Sequence, residues 1–449
     1  MRQDAIRRYA DGQVPRYTSY PTAPHFSPEV DERTYREWLA AVSGDMALSL
    51  YLHIPFCRSM CWYCACHTTV TARPAPVSRY VAALAREIEM VAEALPDRMG
   101  VGHIHFGGGS PTLLSPSELV GLVALLGSRF AIGEEAEIAI EIDPRSLEAP
   151  MIAALAEAGI NRASIGVQSF DPVVQRAINR IQSFEMTAAA VEGLRWRGIE
   201  RINFDLIYGL PGQTIASCLE TVDRAVALAP DRIAIFGYAH VPSFKLHQRK
   251  IDESMLPDGI ARLEQSRAMA DALAEAGYRQ IGLDHFAKSD DPLAAAAETG
   301  ALHRNFQGYT TDACPALLGL GSSSIGRLDG GYVQNVVPIS EYQKRVMEGR
   351  LPVLRGIAVS ADDKLRAAVI ERLMCDHKVD LERVCAQFGA DPAEFAGLPA
   401  LEPLAADGLI ERHGNLIKVT PEARPLVRSV AAAFDSYLGR GQATHSRAA

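Results

Sequence analysis

Four cysteines fall within ten residues, Cys57, Cys61, Cys64 and Cys66, in the run C-R-S-M-C-W-Y-C-A-C. They follow a short apolar segment, Leu48 to Ile54, with the character of a β-strand. Thiolates suit soft metals, and the spacing of Cys57, Cys61 and Cys64 lets them wrap one side of an iron–sulfur cube. The fourth iron is then left without a protein ligand, and an iron open to another ligand points to catalysis rather than electron storage. A structural zinc site would need a second ligand couple downstream. None follows, because Cys218, Cys314, Cys375 and Cys385 stand singly and read as small buried hydrophobes. Eight cysteines in 449 residues, with no signal-like N-terminus, fit a reducing cytoplasm better than a disulfide framework.

A chain of 449 residues, 48% hydrophobic, can bury a large core and has room for two or three domains. No apolar run approaches the ~20 residues of a membrane span. The 54 acidic residues outnumber the 45 basic ones and give a net charge of -9, which disfavours nonspecific binding to nucleic acid. Behind the cysteines, Val77, Tyr80, Val81, Leu84, Ile88, Val91 and Leu95 recur at the three- and four-residue steps of a helix with one buried face. Strands are expected at Leu48 to Ile54, His103 to Phe106, Glu137 to Ile142, Arg162 to Val167, Arg201 to Ile207 and Arg232 to Tyr238. Helices beginning near Ser115, Leu147, Asp171 and Thr214 alternate with them, several opened by capping side chains. This pattern is α/β: a partial (β/α)6 TIM-like barrel, with its chemistry at the strand C-termini.

The strand ends carry the residues such a rim needs. They are Gly107-Gly-Gly-Ser-Pro-Thr, Glu141-Ile-Asp-Pro, Gly166-Val-Gln-Ser-Phe, Asp205-Leu-Ile-Tyr-Gly-Leu-Pro-Gly and Tyr238-Ala-His. The glycines let backbone approach a ligand and offer N–H groups. Asp143, before Pro144, reads as a turn former, but polar side chains repeated at one rim point to a shared pocket.

On these motifs the chain resembles the radical S-adenosylmethionine enzymes, and among them the oxygen-independent coproporphyrinogen III dehydrogenase family. The likeness runs from Pro15-Arg-Tyr-Thr-Ser-Tyr-Pro-Thr-Ala, through Tyr51-Leu-His-Ile-Pro-Phe-Cys and Asn203-Phe-Asp-Leu-Ile-Tyr-Gly-Leu-Pro, to His303-Arg-Asn-Phe-Gln-Gly-Tyr-Thr-Thr. The resemblance implies a four-iron four-sulfur cluster on Cys57, Cys61 and Cys64, and two S-adenosylmethionine molecules per chain. It assigns Tyr51, Gly108, Glu141 and Ile325 to the first of these, and Tyr63, Gly109, Ser110, Gln168, Arg180, Asp205 and Ala239 to the second. Ser110 stands where the family often has Thr and keeps the hydroxyl; Tyr63 stands for a common Phe and keeps the aromatic face. A carboxylate such as Glu141 or Asp205 suits ribose hydroxyls, and Arg180 suits a carboxylate.

The implied chemistry is radical. An electron from the cluster cleaves S-adenosylmethionine, the 5′-deoxyadenosyl radical takes hydrogen from a propionate β-carbon, and loss of carbon dioxide and one electron leaves a vinyl group. Two such events turn coproporphyrinogen III into protoporphyrinogen IX in anaerobic heme biosynthesis. Cys66 lies too close behind Cys64 to be an obvious ligand to the same cube, and the resemblance makes it catalytic, in electron or proton delivery. The expected protein is a cytoplasmic monomer acting with an electron donor of unknown identity, free of membrane and nucleic acid. A heme chaperone of the same superfamily is the rival reading; Cys66 and Arg16-Tyr-Thr-Ser-Tyr count against it. A noncatalytic electron-transfer module would leave the polar strand ends unexplained.

Past the barrel the character changes. Ser360 to Met374 reads as a capped helix with Leu365, Val369 and Leu373 on one face, and Leu409 to Val419 as a hairpin turning at His413-Gly-Asn. The segments expected are an N-terminal extension over 1–47, the barrel over 48–350, a smaller, mostly helical, winged-helix-like C-terminal domain over 351–438 and a loose tail over 439–449. Glu371, Asp376, Asp380, Glu382 and Glu411 dilute its basic residues, so it is read as a cover for the substrate rather than a DNA-binding unit. Arg16, Lys245, Arg249 and Arg304 are candidate partners for substrate carboxylates.

Overall fold

The structure is a computed structural model, and it describes residues 8–10 and 12–439. Six strands carry the barrel: β1 (Ala47–Ile54), β2 (Gly100–Gly108), β3 (Ala131–Ile142), β4 (Arg162–Gln168), β5 (Arg201–Tyr208) and β6 (Arg232–Gly237). All five pairings between successive members are parallel. Their side chains alternate with the strand period of two. Leu50, Leu52, Ile54, Ile104, Phe106, Ile140, Ile165, Phe204 and Ile233 are almost fully buried in the main core, against helices such as Pro74–Ala94 and Pro116–Arg129. The intervening residues, among them Tyr51, His53, His105, Glu141, Ser164 and Asp205, bond to one another on the opposite, inner face. The alternation therefore sorts the sequence into a packing face and a chemical face.

The helices start where the capping residues place them. Ser115 and Glu118 close a reciprocal capping box on the helix Pro116–Arg129, Thr214 and Ser217 do so on Ile215–Ala227, and Asp171 caps Pro172–Ala177. The helix expected near Leu147 begins at Ala149, after a short 3-10 turn over Pro144–Ser146.

The sheet is wider than the six strands read from the sequence. It continues with β7 (Arg279–Ile281), β8 (His285–Ala287), β9 (Ala316–Leu320), β10 (Ile325–Leu328), β11 (Gly331–Asn335) and β12 (Val353–Ala358), in the order β12-β11-β10-β9-β1-β2-β3-β4-β5-β6-β8-β7. β9 is parallel to β1, whereas β10 to β12 and the β8–β7 pair run antiparallel to their neighbours. These strands are three to six residues long, and every residue of β9 and β11 is buried, so those two lack the alternation that marks a half-exposed strand.

β12 lies past the boundary expected at 350, and its pairing with β11 keeps residues up to Ala358 in the sheet. A second hydrophobic cluster gathers the helix Ala361–Asp376, capped by Ser360, with the three-stranded sheet formed by Lys378–Asp380, Leu416–Val419 and Ile410–His413. Helices followed by this small sheet give the winged-helix-like C-terminal domain. Tyr17 and Tyr20 belong to the same cluster, and their hydroxyls bond Asp435 and Ser436. The N-terminal segment thus closes onto the C-terminal domain. All but the first residue of the expected tail lies outside the described residues. Among the described residues no helix is long and apolar enough to cross a membrane.

Candidate active site

The cysteine loop leaves the C-terminal end of β1 and is held by side chains that reach its carbonyls from elsewhere. Asn179 Nδ2 donates to Met60 O at 2.8 Å, Gln248 Nε2 to Tyr63 O at 3.0 Å, His247 Nε2 to Cys64 O at 2.7 Å and Lys245 Nζ to Cys66 O at 3.0 Å. Gln248, fully buried, also donates to Ala239 O at 3.2 Å and so ties Tyr63 to Ala239. None of these anchors was singled out by the sequence except Lys245. The polar run Lys245-Leu-His-Gln, just past the end of β6, was the available signal.

Around the sulfurs the charge is positive. Arg145 Nη2 lies 3.3 Å and Arg180 Nη1 3.7 Å from Cys61 Sγ. The Cys66 hydrogen bonds, including its backbone N–H at 3.4 Å from Cys64 Sγ, pull the Cys64 thiol down to about 7 against its burial, while Cys66 is pushed up. Burial, with Cys64 close by, lifts Cys57 to about 12, and a hydrogen bond with the Ser110 side chain offsets part of this. No three ligating side chains among the described residues converge on a single ion. A cube asks for a wider triangle, since each thiolate binds a different iron. Soft donors on one pinned loop, with two guanidiniums against Cys61, fit such a cluster in chemistry and charge.

Asp143 does what its sequence context implied, accepting from Arg145 N at 3.1 Å, and it does more. Its carboxylate pairs with Arg145 at 2.6 Å and with Arg180 at 3.4 Å, so one acid orders both guanidiniums beside Cys61. Arg180 Nη2 also donates to Gly166 O at 2.6 Å, while its buried Nε has no hydrogen-bond partner among the described residues. Gln168 adopts φ +69° at a register shift in β4, in the left-handed region that non-glycine residues rarely occupy. Such strain collects at functional sites. A Cβ on Gly166 would meet Gln168 Nε2 at 2.8 Å and Arg180 Nη2 at 3.1 Å, which places those two side chains together.

On the other side, Glu141 accepts from Gly108 N at 3.0 Å and from His105 Nε2 at 3.3 Å. Burial opposes its charge, but the His105 contacts and the Gly108 N–H outweigh it and hold the carboxyl below its usual value. It lies deep in the barrel, yet water reaches 38% of its side chain. Tyr51 stacks on His105 with ring centres 5.9 Å apart. Gly107 is what leaves room, since a Cβ there would come within 2.7 Å of Glu141 Oε1 and 3.0 Å of Tyr51. Gly108 has φ +111°, and a side chain would strike the His53 ring. Ile325 stands apart from these polar contacts, next to Gly319, the register partner of Tyr51.

Asp205 accepts from Ser164 Oγ at 3.1 Å and Asn203 Nδ2 at 2.9 Å. Burial, and then the Glu141 charge, raise it to about 6 despite those bonds. The glycine run differs from expectation in one respect. Its N–H groups are already used, by Glu141 for Gly108, Ile54 O for Gly109 at 2.9 Å and Phe56 O for Ser110 at 2.7 Å. It locks the cysteine loop to β2, leaving carbonyls rather than N–H groups for a ligand.

A cleft of about 1,260 Å³ opens at the end of β6 against the N-terminal segment and the C-terminal domain. Of the four candidate carboxylate partners, Arg16 and Arg304 line it. Lys245 and Arg249 are instead engaged by carbonyls, the latter by Pro242 O at 3.3 Å.

Residues 51–225 match the model of the radical SAM superfamily, and residues 359–426 match that of the HemN C-terminal domain. An oxygen-independent coproporphyrinogen III oxidase of Bradyrhizobium diazoefficiens is 54% identical over 449 residues, covering 100% of both chains. One from Pseudomonas aeruginosa is 44% identical, over 97% of this chain and 95% of that one. The structure of coproporphyrinogen III oxidase (HemN) from Escherichia coli, described as a radical SAM enzyme, superposes with a TM-score of 0.90 at 39% identity, over 95% of this chain and 100% of that one.

Proposed function

The chain belongs to the family of oxygen-independent coproporphyrinogen III oxidases within the radical S-adenosylmethionine superfamily, and on that premise we propose how its residues divide the work. The reaction is the oxidative decarboxylation of two propionates of coproporphyrinogen III to vinyl groups, giving protoporphyrinogen IX. Membership brings a four-iron four-sulfur cluster and S-adenosylmethionine. When bound, they supply the one-electron chemistry that removes hydrogen from a propionate β-carbon.

Cys57, Cys61 and Cys64 hold the cluster, and Arg145 and Arg180 offset the negative charge at Cys61. The pinned carbonyls fix the loop so that the thiolates keep their spacing. One S-adenosylmethionine lies along Tyr51, Gly108, Glu141 and Ile325. Glu141, held ionised, accepts from hydroxyl or ammonium groups. A second would be held by Tyr63, Gly109, Ser110, Gln168, Arg180, Asp205 and Ala239, with Arg180 suited to its carboxylate and Asp205 to its ribose hydroxyls. The observation that supports two molecules is the presence of two carboxylates, Glu141 and Asp205, close enough to repel and each with its own donors. Cys66 moves a proton or an electron at the cluster's edge. Water reaches it, and its thiol stays protonated beside Cys64. The enzyme works as a cytoplasmic monomer with a separate electron donor.

Anaerobic reconstitution with iron and sulfide, followed by turnover of coproporphyrinogen III with S-adenosylmethionine and a reductant, tests this. Protoporphyrin fluorescence after oxidation is the expected product signal, and heme binding without turnover overturns the reading. Cys66→Ser should keep the cluster's visible absorption while protoporphyrinogen formation falls roughly 10²-fold or more. Unchanged turnover would make Cys66 a bystander.

A further inference from the structure

The cleft beyond β6 is larger than the roughly 300–1,000 Å³ of an ordinary small-molecule site, and its inner wall carries an arginine pair from distant parts of the chain. Arg16 comes from the N-terminal segment. Tyr17 has φ +49° and sends its own side chain into the C-terminal domain, where its hydroxyl donates to Asp435 at 3.0 Å. The neighbouring Arg16 is thereby left in the cleft, where water reaches it although protein encloses it, and its one hydrogen bond among the described residues is a long 3.5 Å contact to Gly237 O. Arg304 lies on the short strand His303–Asn305, stacked over the Tyr309 ring at 4.4 Å. Its side chain is 7% exposed, and its Nε and Nη1 have no hydrogen-bond acceptor among the described residues.

The carboxylate between them is Asp284, 3.9 Å from Arg304 Nη1 and already bound to His285 Nδ1 at 2.8 Å. Arg428, from the C-terminal domain, faces the same group and adds to its positive potential. Burying a guanidinium with unused donors is costly unless a ligand completes it. An arginine's planar fork is matched by a carboxylate. The cleft also reaches Tyr238 and Ala239 at the rim of the barrel, so a ligand held here extends toward the cysteine loop.

We propose that Arg16 and Arg304 grip a propionate carboxylate of the substrate, one that stays unreacted while another is presented at the cluster. This rests on the assignment of coproporphyrinogen III as substrate. The site is completed only when the N-terminal segment and the C-terminal domain are docked, which gives both additions to the barrel a role in binding.

The test uses the reconstituted holoenzyme and fluorescent coproporphyrin III as a nonreacting tetracarboxylate, with its tetramethyl ester as control. Arg304→Gln and Arg16→Gln should each raise the Kd for coproporphyrin III about tenfold or more and raise KM, with cluster content and S-adenosylmethionine binding unchanged. Affinity for the ester should be the same in wild type and variants. Arg304→Lys should recover part of the loss. Asp284→Asn separates ligand binding from structural pairing, because it removes a competing carboxylate and should leave coproporphyrin III binding at least as tight as wild type. Wild-type Kd in both glutamine variants overturns the proposal. Should Arg304→Gln fail to fold, the solvent-reached Arg16→Gln decides alone. A wild type that does not turn over coproporphyrinogen III sinks the substrate assignment itself, whereas normal turnover with unaltered binding in the variants sinks only the arginine anchor.

Discussion

Buried charges occur at both ends of the barrel, and they are treated in opposite ways. At the base, where β4 and β6 begin, Arg162 meets Glu137 and Arg232 meets Asp291, each pair at 2.8 Å. At the mouth, the Glu141 and Asp205 carboxylates lie near enough to repel, and Arg304 stands 3.9 Å from the Asp284 carboxylate. The base has settled its charges within the protein. The mouth holds them in an arrangement that a ligand completes, as expected of a barrel whose chemistry sits at the strand C-termini. Substitutions at the two ends should therefore separate stability from binding.

The largest effect should come from the cysteine loop. Cys57→Ser, Cys61→Ser or Cys64→Ser should abolish cluster assembly, since a hydroxyl is a poor replacement for a soft thiolate at iron. Iron content and visible absorption read this out, and a full cluster in any of the three removes that residue from the ligand set. Next in size is the base. Asp291→Asn leaves Arg232 buried without its charge partner and should cost about 3–5 kcal/mol in unfolding free energy. S-adenosylmethionine stoichiometry should not move in the folded fraction, and loss of cofactor binding there would blur the distinction between the ends.

A smaller effect is expected at the mouth. Asp205→Ala should lower bound S-adenosylmethionine toward one per chain, with the second site weakened by roughly 1.5–3 kcal/mol, and it should leave Tm near or above the wild-type value at pH 7.5. The sign follows from Asp205 being raised to about 6, because protonation favours the fold and that contribution is lost as pH rises through 6. Removing the group removes the strain it carries when ionised. A wild-type stoichiometry of one would end the two-molecule reading. The smallest effect is the pH response of that second site. Ribose hydroxyls need the ionised acceptor, so affinity should fall below pH 6 by up to about tenfold per unit. Equilibrium binding at pH 5.5 and 7.5 checks this, and a flat profile removes Asp205 from the site.

Much of the fold was legible because the chemistry and the packing share one period. Barrel strands such as β1, β3 and β5 alternate apolar and polar residues toward their C-terminal ends, so Ile140 and Glu141, or Phe204 and Asp205, announced a strand and its functional face together. Cap residues such as Ser115, Thr214 and Ser360 marked helix starts within a residue or two. The flanking strands β9 and β11 gave no such signal, because they are short and wholly buried. Asp143 was half legible. A turn former and its pairing with Arg145 are local, but its second task of holding Arg180 beside Arg145 depends on a residue brought in from another loop.

The sequence by itself determined the class of cofactor, through three thiols whose spacing is a property of one loop, and it determined which strand ends carry polar groups. Only the tertiary structure decided which distant side chains meet. Gln248 tying Tyr63 to Ala239, and Arg16 facing the cleft with Arg304, unite residues far apart in the chain. Local periodicity records burial and direction within an element, whereas such meetings depend on how separate elements close on one another.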